Sequence, residues 1–248
     1  MNLADENKIK SMARGGKILA QILQSLKNIT APGVSTFDLE EYAIKLLAKY
    51  NVKSAFLHFH GYNYTTCISI NDEIVHGLPD TNKIIKDGDL VSIDCGVKYN
   101  GYCTDAAISF SVGKPQKNIN KLLSITKQSL DEAIKLIKPG EYLGTIQAKI
   151  AEIIRKNNLG LVMDLTGHGI GRDLQEEPQI PNYGTKNTGL ILKPGMTFCL
   201  EPMVTLGSKD IKLSKDGWTI RTLDHSIACH FEHTIAVTDD GCKVLTKI

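Results

Sequence analysis

An α+β fold built from two duplicated halves is predicted by three features of this 248-residue chain. First, Lys86-Asp-Gly-Asp-Leu-Val-Ser-Ile-Asp94 matches Lys193-Pro-Gly-Met-Thr-Phe-Cys-Leu-Glu201 at an offset of 107, and each segment ends in an acid. Second, the same offset relates Pro32-Gly33 to Pro139-Gly140, Leu39 to Ile146, Leu46-Leu47 to Ile153-Ile154, Lys49 to Lys156 and Asn51 to Asn158. Third, each half runs from helix-period segments into β-branched runs bounded by turn residues. Acids at equivalent strand ends of a duplicated fold meet near its two-fold axis, and clustered carboxylates need protons or cations to hold them together.

The helices come first in each half. Ile9, Met12, Ala13, Ala20, Leu23 and Leu26 lie at helical spacing between about Ala4 and Leu26. After Pro32-Gly33, Ser35 or Thr36 can cap a helix whose stripe is Leu39, Tyr42, Ala43, Leu46 and Leu47, ending at Asn51. The second half repeats the plan, with a helix over Leu122 to Ile137, a break at Pro139-Gly140, and a stripe of Ile146, Ile150, Ile153 and Ile154 closed by Asn157-Asn158. Strands are expected at 67–71, 89–97, 102–112, 196–205, 218–221, 227–237 and 243–247. No low-complexity segment or linker separates the halves, so one continuous sheet core covered by the four helices is expected.

Composition narrows the class. Hydrophobic residues make up 42% of the chain and charged residues 23%, with no apolar run long enough to span a bilayer. The opening Met1-Asn-Leu-Ala-Asp-Glu lacks the cationic and apolar regions of a secretory signal, so a cytoplasmic location is expected. The six cysteines (67, 95, 103, 199, 229 and 242) include no CxxC pair and read as reduced thiols. A net charge of +2 gives no basic patch that argues for nucleic-acid binding.

The acids carry the chemistry. Asn100-Gly101 is a two-residue hairpin signal, which pairs Tyr99 with Tyr102, sets Asp94 opposite residue 107 and Asp105 opposite residue 96. Both acids then share one face, where like charges cost stability unless a proton or cation compensates. Glu201 interrupts the apolar run Phe198-Cys-Leu-Glu-Pro-Met-Val204, and Glu232 interrupts Ile227 to Val237. Taken as repeat partners, Asp105 and Glu232 lie 127 apart, leaving about twenty extra residues in the later half, Trp218 among them. Gly167-His168-Gly169-Ile170-Gly171 frees the backbone around one imidazole. Read singly, each of these is a strand-end carboxylate, an ion-pair partner or a turn histidine. Together, four acids and one imidazole from separate segments suit two divalent ions, Mn²⁺, Fe²⁺ or Co²⁺ first and Zn²⁺ as an option.

Asn71-Asp-Glu-Ile-Val-His-Gly-Leu-Pro79, Ser92-Ile-Asp-Cys-Gly96, Gly167-His-Gly-Ile-Gly-Arg172, Glu176-Glu-Pro178, Phe198-Cys-Leu-Glu-Pro-Met203 and Phe231-Glu-His-Thr-Ile235 resemble the signature blocks of the type I methionine aminopeptidases. The resemblance runs from the first helix to the C-terminus. It implies the pita-bread fold, a pseudo-two-fold curved antiparallel sheet covered by four helices, with residues 1–248 as one catalytic domain and halves of about 1–115 and 116–248. It places the family's metal ligands on Asp94, Asp105, His168, Glu201 and Glu232, with Asp105 and Glu232 shared between two cations. Glu201 would shuttle the proton, and His76 would contact the scissile peptide. Phe59, Tyr62, Cys67 and Trp218 match positions of the methionine pocket. The short spacing from Glu201 to Glu232 excludes the type II insertion, and the chain resembles the short bacterial form. The implied substrates are N-termini of nascent polypeptides with a small second residue, with a transient ribosome contact, no specific nucleic acid, no membrane and a monomeric state.

Three positions depart from the pattern. Gln175 stands where the family places a second histidine that donates to the substrate carbonyl. An amide still donates a hydrogen bond but carries neither proton nor charge. Leu174 replaces an aromatic ring of the methionine pocket, and Phe56 in the facing segment is positioned to refill that volume. His230 is unusual beside the Glu232 strand, with its role open between the surroundings of the metals and a plain polar replacement. Two rivals share the fold: a binding protein with weak or no catalysis, favoured by Gln175, and an Xaa-Pro aminopeptidase or prolidase, which usually carries a large N-terminal domain.

Overall fold

The computed structural model describes residues 6–114 and 116–247. Helix α1 (Glu6–Ile29) leads into α2 (Thr36–Lys49), then the strands β1 (Lys53–Ser54), β2 (Thr66–Ile70), β3 (Glu73–Val75), β4 (Leu90–Tyr99) and β5 (Tyr102–Ser111). The second half opens with α3 (Lys117–Ile134) and α4 (Leu143–Lys156). Its strands are β6 (Gly160–Leu161), β7 (Thr166–Gly169), β8 (Glu176–Pro181), β9 (Thr197–Leu200), β10 (Met203–Thr205), β11 (Ile211–Leu213), β12 (Ile220–Thr222), β13 (Ala228–His230), β14 (His233–Val237) and β15 (Cys242–Val244). The predicted start of the first helix at Ala4 lies outside the described residues. Ser35 caps α2: its hydroxyl accepts from the Asp38 amide at 3.0 Å, while the Asp38 carboxylate accepts from the Ser35 amide at 2.8 Å.

Each half packs its helices on its own strands. Leu19, Ile22 and Leu26 of α1 and Leu39 and Leu47 of α2 bury against Val91, Ile93 and Val97 of β4. In the second half Ile119 and Leu122 of α3 and Ile146, Ile150 and Ile154 of α4 bury against Phe198, Leu200 and Ile235. The offset of 107 is visible in backbone bonds. Gly33 N–H donates to Ile85 O and Gly140 N–H to Leu192 O, both at 2.9 Å. β1 pairs Lys53 with Lys98 and Ser54 with Val97, and β6 pairs Gly160 with Thr205 and Leu161 with Val204, each partner displaced by 107. Asn51 and Asn158, which end α2 and α4, both take positive φ (52° and 56°), a conformation asparagine tolerates better than most residues.

The β4–β5 hairpin has the register read from its turn. Tyr99 faces Tyr102, Asp94 faces Ala107 and Gly96 faces Asp105. The curved antiparallel sheet is segmented at the centre of the molecule. The predicted strands 196–205 and 227–237 each break, at Glu201-Pro202 and at Phe231-Glu232, so that β9 and β14 join one sheet and β10 and β13 another. Proline lacks the N–H a ladder needs, which favours a break there.

The two halves meet across β5 and the β13–β14 break. Glu232 N–H donates to Ala107 O at 3.0 Å. On one side of this contact the Thr234 hydroxyl accepts from Asp105 N–H (2.8 Å) and donates to Asp105 O (2.7 Å). On the other side the Ser109 hydroxyl accepts from His230 N–H (3.0 Å) and donates to His230 O (2.7 Å). The pseudo-two-fold axis therefore passes between Ala107 and Glu232. This corrects the second acid pair: Asp94 is related to Glu201 as expected, but Asp105 is related to His230, and Glu232 to Ala107, at an offset of 125. The slip of two residues preserves side-chain parity, so Glu232 still faces the site. The excess in the later half is eighteen residues. It forms the β11–β12 hairpin, whose second strand pairs with β3, Ile220 facing Val75. Arg221 ties the two together through Asp72 and Glu73, at 2.6 and 2.5 Å.

Candidate metal centre

Asp94, Asp105, His168, Glu201 and Glu232 converge on the floor of one cavity of about 330 Å³. Asp94 projects from the middle of β4, between Cys67 of β2 and Ala107 of β5. Asp105 faces the same way from β5, held by Thr234 across the axis. Glu201 and Glu232 stand at the two strand breaks, and Glu201 is anchored through its backbone carbonyl, which accepts from Asn182 Nδ2 at 3.0 Å. His168 is fixed on β7 by a 3.0 Å contact between Nδ1 and Gly169 O. A carbonyl only accepts, so Nδ1 carries the proton and the Nε2 lone pair points at the acids. Nε2 lies 3.6 Å from Glu201 Oε1 and 3.9 Å from Asp105 Oδ2.

The electrostatics are those of a cluster short of positive charge. Burial, followed by the charge of the neighbouring carboxylates, holds Asp105, Glu201 and Glu232 well above the ordinary carboxylate range. Burial raises Asp94 to about 6, with His230 pulling it down. Asp94 Oδ1, Asp105 Oδ1 and Glu232 Oε1 are buried without a hydrogen-bond partner. Orphaned buried oxygens are costly and demand an explanation. One atom each from Asp94, Asp105 and Glu232 lie within 4.8 Å of one another, as do atoms of Glu201, His230 and Glu232, and of His168, Cys199 and Glu232. Hard oxygen donors with one or two imidazoles fit divalent first-row cations.

Above this floor the cavity is lined by Phe56, Phe59, Tyr62, Cys67, Leu174 and Trp218. Tyr62 and Trp218 meet edge to face at 5.0 Å, and the Tyr62 hydroxyl donates to Thr66 O at 2.8 Å. Leu174 and Phe56 are both buried in this cluster. The Phe56 ring occupies space over the β4 backbone that is open only because residue 96 is glycine: a Cβ there would lie 2.7 Å from a ring carbon. His76 lines the cavity on the chain leaving β3, at φ 57°, and its carbonyl accepts from Thr219 of the extra hairpin at 3.4 Å. Burial, then the nearby His230, lowers its imidazole to about 4, so it is neutral at ordinary pH. Gln175 lies exposed at the lip of the cavity, between β7 and β8.

Sequence reasoning missed His60, Thr166 and Met203, which also line the cavity. It missed Thr234 and Asn182 as well, which hold Asp105 and Glu201. Thr234 shares the strand parity of Glu232, the one signal that pointed to it.

The description of metallopeptidase family M24 matches residues 10–239 of this chain. The methionine aminopeptidase of Escherichia coli strain K12 is 42% identical over 239 residues, covering 96% of this chain and 90% of that protein. Methionine aminopeptidase 1 of Bacillus subtilis strain 168 is 40% identical, covering 96% and 95%. A crystal structure of methionine aminopeptidase from Thermotoga maritima superposes with a TM-score of 0.98 at 41% identity, covering 100% of both chains. The same pita-bread halves, the same span and a carboxylate-rich floor fitted to divalent cations agree with one another, and the chain belongs to metallopeptidase family M24.

Proposed function

We propose that this chain removes the N-terminal methionine from newly made polypeptides, preferably before a small second residue, in the cytoplasm. One observation carries the reading: carboxylates and an imidazole from both halves converge, with orphaned buried oxygens, beneath an apolar cavity of about 330 Å³, within the ordinary range for small-ligand sites. Because both halves contribute, residues 1–248 are read as one catalytic unit. Among the described residues no helix is long and apolar enough to cross a membrane.

Asp94, Asp105, His168, Glu201 and Glu232 would hold two divalent cations, Mn²⁺, Fe²⁺ or Co²⁺, with Asp105 and Glu232 shared. Bound cations supply Lewis-acid chemistry, acidifying water and polarising a carbonyl. The remaining work falls to side chains. The apolar wall of Phe59, Tyr62, Cys67, Leu174 and Trp218 takes the unbranched methionine side chain, and Phe56 fills volume beside Leu174. His76, neutral and fixed by its segment's pairing with the extra hairpin, donates to the scissile peptide. Glu201 takes the proton from the attacking water on a carboxylate oxygen and returns it to the leaving amine. Gln175 donates its amide to the substrate carbonyl from the lip.

The test is release of free amino acid from Met-Ala-type and Xaa-Pro peptides by purified protein supplied with each cation. Methionine release supports the reading, whereas cleavage of Xaa-Pro peptides alone, or of nothing with any cation, overturns it. Restoring an imidazole, Gln175→His, is expected to raise kcat by about tenfold, since losing one transition-state donor outright costs about 10²–10³ and the amide recovers only part. A variant no faster than the parent would show that hydrogen bonding alone suffices at this position.

A further inference from the structure

We propose that His230 is an additional metal ligand of this centre, so that the cations are held by two imidazoles, one from each side of Glu201. The inference rests on the metal centre proposed above. Three observations carry it.

The first is position. The pseudo-two-fold axis relates His230 to Asp105, one of the proposed ligands, and the two backbones are clamped alike, His230 by the Ser109 hydroxyl and Asp105 by the Thr234 hydroxyl. Residue 230 therefore occupies a ligand position of the duplicated fold that the later half fills with an imidazole. The second is geometry. His230 Nε2 lies 3.5 Å from Glu201 Oε2, while His168 Nε2 lies 3.6 Å from Glu201 Oε1. Donor atoms about 2.1 Å from a common ion stand roughly 3 to 3.5 Å apart, so both imidazoles are spaced from Glu201 as fellow ligands are. One atom each from Glu201, His230 and Glu232 also fall within 4.8 Å of one another.

The third observation is an unsatisfied atom. His230 is 2% exposed, and its Nε2 is buried with no hydrogen-bond partner. The approach to Glu201 is not a hydrogen bond, and an imidazole nitrogen buried among carboxylates without one is a costly placement. A cation shared with Glu201 and Glu232 accounts for both the orphaned nitrogen and the orphaned Glu232 Oε1. A second imidazole softens the donor set and shifts preference toward zinc and cobalt relative to manganese.

Crystals of the full chain grown with Mn²⁺ test this directly, because anomalous scattering locates the ion. The expected result is a cation about 2.1 Å from His230 Nε2. Calorimetry should show Mn²⁺ affinity falling by at least about tenfold in His230→Gln, with the circular dichroism spectrum unchanged. A cation among Asp94, Asp105, His168, Glu201 and Glu232 but more than about 3 Å from His230 overturns the ligand assignment and leaves the centre standing. No ion at any of these residues overturns both.

Discussion

Replacing Glu201 by glutamine lowers kcat for methionine release by about 10³ while leaving the cation-free chain at least as stable as the parent. Proton transfer by a positioned carboxylate is worth about 10²–10⁴ in rate, and an amide of the same shape cannot take the proton. The stability arm points the other way because of where Glu201 sits. Burial, then Asp94, already holds its carboxyl well above the ordinary range, so the charged form is the disfavoured one. A glutamine amide can donate to His168 Nε2, which lies 3.6 Å from Glu201 Oε1 and is an acceptor because Nδ1 donates to Gly169. The Asn182 bond to the residue 201 carbonyl is untouched by the change. Steady-state kinetics with Mn²⁺ and thermal melting in chelator read the two arms. A variant retaining more than about a tenth of the parent kcat would remove Glu201 from proton transfer.

The second large effect is on stability against pH. In chelator the chain should lose stability as pH rises from about 7 to 8, above the range where the buried imidazoles His76 and His233, lowered to about 4 in the fold, differ in charge from the unfolded chain, and saturating Mn²⁺ should reverse that trend. Asp94 is raised to about 6, and Asp105, Glu201 and Glu232 are held well above the ordinary carboxylate range by burial and then by their neighbouring carboxylates. Between the unfolded value near 4 and the folded value, the folded chain holds protons that the unfolded chain has released. Stability that depends on those protons is complete below the unfolded value and disappears as pH passes the folded one. Asp94, at about 6 against 3.8, is largely ionised in both states by pH 7, so the fall above pH 7 reads Asp105, Glu201 and Glu232. Cations favour the ionised acids, so their stabilisation should be greatest near pH 8. Melting curves with and without Mn²⁺ check this, and a Tm in chelator that climbs from pH 7 to 8 would contradict it.

Much of this site was legible in the residues themselves. The Asn100-Gly101 turn fixes the β4–β5 register, and that register fixes which face Asp94 and Asp105 share. The offset of 107 survives as paired backbone bonds in both halves. What the residues hid has physical causes. β1 and β6 are two residues long, too short for any period to register. β7 carries glycines because Gly167 and Gly169 lie where a Cβ would strike neighbouring carbonyls, and β8 carries two prolines, so neither reads as a strand. The strand breaks at Glu201 and Phe231 look continuous in sequence, since apolar residues flank them on both sides. The slip that relates Asp105 to His230 was hidden because a shift of two residues changes no side-chain face.

The carboxylate cluster is proposed as a cation site, and a calorimetric titration of chelator-treated protein with Mn²⁺ near pH 7.5 tests that most directly. The predicted result is saturable binding of about two ions per chain, with the tighter step lost in Asp105→Asn if, as proposed, that carboxylate is shared. Heats indistinguishable from dilution would contradict it, since the buried acids would then be held together by protons alone.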